Sequence, residues 1–267
     1  MHDQQPSIPA GRSAAFFDLD RTLIAGSSAF VFGVAAWRND LVSNAQFARD
    51  AWGAITFKLR GDRGGDTTAA VRDRILGAVK GAAQDDLVAL NEVIVPKLIE
   101  RVRPESKRLL ELHRRAGRAT YIVSASPQEL VEPLAQALGM THGIGTVATV
   151  VDGAYTGGLE RPFCYGEGKV DAIAELARWE GFDLDECYAY SDSISDLPML
   201  EAVGHPVAVN PDGTLHGIAL ERGWPIVIFA RRTKAVIRRT TAGVGAAALA
   251  GGGFLAGWRL RAIRPAR

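Results

Sequence analysis

The stretch Ser13-Ala-Ala-Phe-Phe-Asp-Leu-Asp20-Arg-Thr22 decides how the rest of this chain is read. A short apolar run that ends abruptly in charge has the texture of a buried β-strand. Positions i and i+2 of a strand share a face, so Asp18 and Asp20 point into one crevice. Two carboxylates held that close repel each other, and a cation between them removes the cost. Hard oxygen ligands of this kind suit Mg²⁺. On its own, an Asp-x-Asp pair is also a common way for a strand to end.

Outward from this strand, residues 27–102 read as helical without a strand to interrupt them. Ser27 or Ser28 caps a first helix that runs to about Asn39. Phe47, Ala51, Ala54 and Ile55 line one face of a second helix over 43–60. A glycine-rich loop at 61–66 precedes helices near 67–80 and 84–101. After Pro104 the texture alternates. Helices are expected at 104–116, 127–138, 167–180 and 213–222, with a short one reaching Met199. Strands are expected at 118–124, 187–191, 206–209 and 225–229, and Asp152-Gly153 signals a hairpin within 143–160. Strands alternating with helices define an α/β fold, a doubly wound parallel sheet covered on both faces.

Ligands of such sheets sit at the carboxyl ends of the strands, and that is where this chain places its polar residues. One later strand ends in Ser124-Ala125-Ser126, where a hydroxyl and free N–H groups at a helix start form an anion site or an ordinary cap. Lys169, in Gly166-Glu-Gly-Lys169, opens the next helix against its dipole. Another strand ends in Ser191-Asp192-Ser-Ile-Ser-Asp196, a second acidic cluster. Asp192 or Ser193 there would also cap a helix.

This ordered set resembles the haloacid dehalogenase superfamily of phosphohydrolases. FFDLDRTL (16–23) and YSDSISDLPML (190–200) look like its first and fourth motifs, and VSAS (123–126) and GEGK (166–169) like its second and third. The resemblance covers roughly residues 14–230. It implies a Rossmann-like core made of 13–24 and 103–230. The helical insertion 25–102 is similar to the type-1 cap of the phosphoserine-phosphatase-like branch, subfamily IB.

By that resemblance Asp18 is a nucleophile that becomes an aspartyl-phosphate, and Asp20 is the general acid and then the base. Asp18, the backbone carbonyl of Asp20, and Asp192 hold Mg²⁺. Asp196 stands behind them and orients Lys169 or a water on the metal. Ser124, Ala125 and the neighbouring amides bind phosphoryl oxygens that Lys169 neutralises. The implied activity is Mg²⁺-dependent hydrolysis of a phosphomonoester, either a small metabolite or a lipid phosphate. Two features depart from the phosphoserine pattern. No carboxylate follows the first motif in Ile24–Phe30, and Ser195 stands where Asn is usual. Lys58, Arg60 and Arg63 are candidates to meet an acidic substrate group, or simply solvated helix ends. A phospho-accepting signalling module or a non-catalytic phosphate binder would use similar residues. The long insertion and Asp20 argue against the first, and four filled motifs against the second.

Composition agrees with a soluble globular chain: 267 residues, 47% apolar and 23% charged. Two cysteines give no disulfide framework or zinc signature, and residues 1–12 read as a polar, flexible arm without a signal-peptide core. A cytoplasmic setting is the expectation. Of 31 Lys/Arg, ten lie in 222–267, which has no Asp/Glu, leaving 21 against 30 acidic residues elsewhere. That balance excludes a body-wide nucleic-acid surface. Within the basic tail 231–267, the uncharged run 240–258 would span about 28 Å as a helix. It reads either as a membrane anchor or a segment lying on an anionic membrane surface, or as a flexible, low-complexity tail.

Overall fold

A computed structural model of the chain describes residues 13–39 and 68–229. The arm 1–12, the expected helix over 43–60, Lys58, Arg60, Arg63 and the run 240–258 lie outside the described residues. None of the described helices is long and apolar enough to cross a membrane.

Eight described strands follow in order: β1 (Ala14–Phe17), β2 (Ala119–Pro127), β3 (His142–Thr146), β4 (Ala148–Val151), β5 (Ala154–Leu159), β6 (Tyr188–Ser191), β7 (His205–Val209) and β8 (Ile226–Val227). Six of them form one parallel sheet in the order β3-β2-β1-β6-β7-β8. β8 is shorter than the 225–229 expected from sequence. β1 is buried along its whole length. Phe16 faces Tyr121 on one side of the sheet, and Phe17 stacks on Tyr190 on the other, with ring centroids 4.5 Å apart. A strand apolar on both faces belongs in the middle of a covered sheet. The chain builds outward from β1 through β2 to β3 on one side and through β6 to β8 on the other. The strand order therefore reverses at β1, and the crevice this opens lies at the carboxyl end that carries Asp18.

The insertion contributes α1 (Ser28–Arg38), α2 (Thr68–Val79), α3 (Gln84–Ala89) and α4 (Asn91–Arg101). The single helix expected over 84–101 is two, and the Asn91 side chain at the break donates to the Glu129 carbonyl. The insertion begins and ends side by side: Ala25 N–H donates to the Arg101 carbonyl at 2.8 Å, and Arg103 N–H to the Leu23 carbonyl at 3.1 Å. The insertion helices do not pack alone. The hairpin β4–β5, turned by Asp152 and Gly153 at φ +51° and +78°, binds them through Gly81 N–H to Tyr155 O and Gln84 N–H to Gly153 O, both at 2.8 Å. Leu76, Val79 and Leu87 pack with Ala148 and Tyr155 of that hairpin. An all-helical insertion thus gains a strand pair from the later half of the chain, a long-range contact that no local pattern announces.

The remaining helices are α5 (Pro104–Arg115), α6 (Gln128–Ala137), α7 (Glu167–Glu180), α8 (Leu197–Glu201) and α9 (Gly213–Glu221). α6 lies hard against the edge strand β3. Gln128 accepts from Gly145 N–H at 2.6 Å and donates to the Gly143 carbonyl, while Glu132 accepts from Gly143 N–H at 2.7 Å. Side chains thereby occupy the outward backbone groups of an edge that would otherwise pair with another chain. A Cβ at Gly143 would stand 2.5 Å from the Val131 carbonyl oxygen. Gly143→Ala is expected to lower stability by about 2 kcal/mol, because backbone and not a flexible side chain must yield. Urea unfolding followed by circular dichroism measures this, and an unchanged midpoint would show that the helix moves freely off the edge.

Candidate active site

Asp18 and Asp192 directly follow the ends of β1 and β6, and Ser124 stands beside Asp18 within the neighbouring β2, because of the strand register. Phe17 pairs with Ile122 of β2 and with Tyr190 of β6, and Asp18 N–H donates to the Tyr190 carbonyl at 2.9 Å. Lys169 reaches them from the first turn of α7. That turn is pressed onto the preceding loop, since a Cβ at Gly168 would lie 1.9 Å from the Phe163 carbonyl oxygen. Lys169 is only 2% exposed. Its Nζ donates to Asp18 Oδ1 at 2.7 Å and to Asp196 at 2.9 Å, and Ser191 Oγ donates to Asp196 Oδ2 at 2.6 Å. Burial alone would depress the lysine, but Asp18 and Asp196 outweigh it and raise its pKa, so the ammonium persists.

Asp20 is turned toward the insertion. Its carboxylate accepts from Ser28 N–H at 2.7 Å and from Ser27 Oγ at 3.2 Å. Ser27 is the residue before α1, yet its hydroxyl does not bond the helix. The free amide at the helix start is satisfied by Asp20 instead, in the manner of a cap supplied from a distance. Burial raises the Asp20 pKa, and these hydrogen bonds oppose the rise. Ser28 Oγ also lies 2.9 Å from Ser126 Oγ, joining α1 to the end of β2. Ser124 is buried, and its Oγ accepts from Ser126 N–H at 3.2 Å. The Ala125 carbonyl accepts from Thr146 Oγ1 at 2.8 Å, which fixes that peptide unit.

Asp192 accepts from Arg21 Nε at 2.8 Å. Its backbone carbonyl accepts from Asp212 N–H at 2.8 Å, and the Asp212 carboxylate in turn caps both Ile194 N–H and Leu215 N–H. The 3₁₀ turn at Ile194–Asp196 is capped by Ser193, not by Asp192, leaving the Asp192 carboxylate for the crevice. Ser191, Arg21 and Asp212 therefore shape the site without having been singled out from sequence. Ser191 and Arg21 sit inside the quoted motifs. For Asp212, only its place before a helix was a signal.

Four carboxylates, Asp18, Asp20, Asp192 and Asp196, share this region with two cations, Lys169 and Arg21. Burial pushes both Asp18 and Asp192 up to about 7, with Lys169 and Arg21 respectively pulling down and Asp196 pushing further up on each. The excess is two negative charges in a buried oxygen-rich setting, which fits a divalent hard cation. Among the described residues, no three Asp, Glu, His or Cys side chains close into a metal cage. Mg²⁺ is ordinarily held by one or two carboxylates with water and substrate phosphate, so the donor set here fits it.

Residues 15–201 match the haloacid dehalogenase-like hydrolase family. The chain belongs to that family. This haloacid dehalogenase-like hydrolase is 41% identical over 259 residues to a probable phosphatase of Mycobacterium tuberculosis (strain ATCC 25618 / H37Rv), covering 92% of this chain and 88% of the relative. It is 40% identical over 239 residues to a protein of the same strain named phosphoserine phosphatase, covering 87% and 76%. A crystal structure of a Bordetella pertussis Tohama I protein of unknown function superposes with TM-score 0.71 at 30% identity, covering 81% of this chain and 98% of that one.

The two acids with raised pKa values make a signed prediction. Their folded values lie above the ordinary 3.8, so the folded chain holds more protons than the unfolded one between about pH 4 and 7. Their contribution to stability therefore falls as pH rises through that window. In EDTA, Asp192→Asn should melt above the wild type at pH 8 and with it near pH 4. Scanning calorimetry across this range decides the matter, and a wild type that melts higher at pH 8 contradicts the burial argument.

Proposed function

We propose that this hydrolase cleaves small phosphorylated metabolites through attack of Asp18 on phosphorus, with Mg²⁺ as cofactor. The supporting observation is the buried Lys169 ammonium, bonded at once to Asp18 and Asp196 at the carboxyl ends of the central strands. It favours the charged form of Asp18 against the burial that opposes it, and it fixes the rotation of the carboxylate. An anionic nucleophile approaches an anionic phosphate only where cations offset the repulsion. Asp18, Asp192 and the Asp20 carbonyl would hold Mg²⁺, which supplies that charge compensation when bound. Ser124 Oγ and the amides that follow it would bind phosphoryl oxygens at the start of α6.

In the first step an Asp18 oxygen bonds to phosphorus while the ester P–O bond breaks. Asp20 gives its proton to the departing alkoxide. In the second, Asp20 takes a proton from a water that attacks the aspartyl-phosphate, releasing inorganic phosphate and restoring Asp18. Burial raises the Asp20 pKa and so favours the protonated form that the first step needs.

Substrate choice is narrower than the activity. The relative named phosphoserine phosphatase makes phosphoserine the first compound to try. Against it, Ser27 and Ser28 follow the first motif and are occupied with Asp20, so no carboxylate stands there for a substrate ammonium.

Phosphate release from a panel of phosphorylated amino acids, sugars, nucleotides and lipids, with Mg²⁺ and with EDTA, tests the reading. Turnover of at least one small phosphomonoester is expected with Mg²⁺ and none with EDTA, and Asp18→Asn should be inactive while keeping its circular dichroism. Full activity in Asp18→Asn would refute the assignment. Asp20→Asn should lose about 10²- to 10⁴-fold against alkyl phosphates and much less against p-nitrophenyl phosphate, whose leaving group needs no proton. Equal losses on the two substrates would remove Asp20 from the acid role.

A further inference from the structure

Arg21 takes no part in the chemistry just described, yet it is aimed into the same crevice. It sits at φ +61°, a left-handed conformation that few non-glycine residues adopt. Its amide donates to the Gly26 carbonyl at 3.0 Å, closing the turn that follows Asp20. Its side chain reaches Asp192, with Nε 2.8 Å from Oδ2. The two partners are unequally placed. The Asp192 side chain is 6% exposed and that of Arg21 61%. Asp192 is fixed, its backbone tied to Asp212, while Arg21 approaches from solvent on a flexible stem.

We propose that Arg21 is a tethered counter-ion that competes with the divalent cation for Asp192, and so sets the cation concentration at which the enzyme loads. The inference rests on the reading of Asp192 as a cation ligand. A guanidinium bonded to one oxygen of a carboxylate lowers the charge that carboxylate offers a second cation, and repels that cation directly. Because Arg21 is largely exposed, solvent screens the effect, which makes it a modest tuning of affinity and not a block. In a crevice with four carboxylates, such a group limits mutual repulsion before loading without adding a second buried ammonium.

Titration of the metal-stripped full chain with Mn²⁺, followed by electron paramagnetic resonance at low ionic strength without substrate, tests this. Arg21→Gln removes the charge, and Arg21→Gly does so in a residue at ease with a positive φ, which guards against misfolding of the turn. Both variants should bind Mn²⁺ about three- to tenfold more tightly than the wild type, and the difference should shrink in high salt. Equal or weaker binding by both variants, with the wild type still binding, overturns the role of Arg21 and leaves the metal assignment standing. A difference undiminished by salt also overturns it, since shape and not charge would then be responsible. Absence of Mn²⁺ binding in all three proteins overturns the metal assignment and this inference with it.

Discussion

The structure depends on an ammonium group that is almost wholly buried. Lys169 is tolerable there because two carboxylates from different parts of the chain close on it and a third residue, Ser191, completes the hydrogen bonding of Asp196. The contact joins the end of β1, the first turn of α7 and the turn after β6 into one unit. Any of the three moving away would strand a charge, at a cost of several kcal/mol. The same contact that orders the chain around the crevice also presents Asp18 in a single orientation. Stability and chemistry are therefore not separable at this point of the molecule.

Much of the architecture was legible because the signals were local. A short apolar run ending in Asp18 announced a buried strand, and Gly166-Glu-Gly168 before Lys169 announced a helix start. The helices over 104–116, 127–138 and 167–180 followed from periodicity and punctuation and lie where they were expected. What escaped were pairings between distant segments. Nothing near Tyr155 tells that its strand will serve the insertion, and nothing near Ser28 tells that its amide will be capped by Asp20. Arg21 escaped for another reason. Its meaning lies in a backbone bend that sequence does not print. Lys169, Asp192 and Asp196 could be named in advance because each stands at the end of a regular element, where the fold class itself directs side chains into the crevice, and Ser124 because the strand expected over 118–124 ends at it, although β2 runs on to Pro127.

Asp20 shows how closely the insertion and the crevice are bound. Both of its carboxylate oxygens are engaged by Ser27, just before α1, and Ser28, which begins it, and Ser28 also touches Ser126 beside the anion site. The orientation of a proton donor is thus shared between the strand that carries it and the helix that receives it. A displacement of α1 would alter both the direction of that carboxyl and the hydroxyl next to Ser126.

The insertion departs after Ile24 and ends at Val102, and these two residues stand opposite each other as an antiparallel bridge pair. The sheet consequently has no means of sensing how much polypeptide lies between them. Descendants of such a chain could exchange or lengthen the part of that stretch beyond α1 while Ser27 and Ser28 keep their hold on Asp20, so diversification of what the crevice admits need not disturb how it reacts.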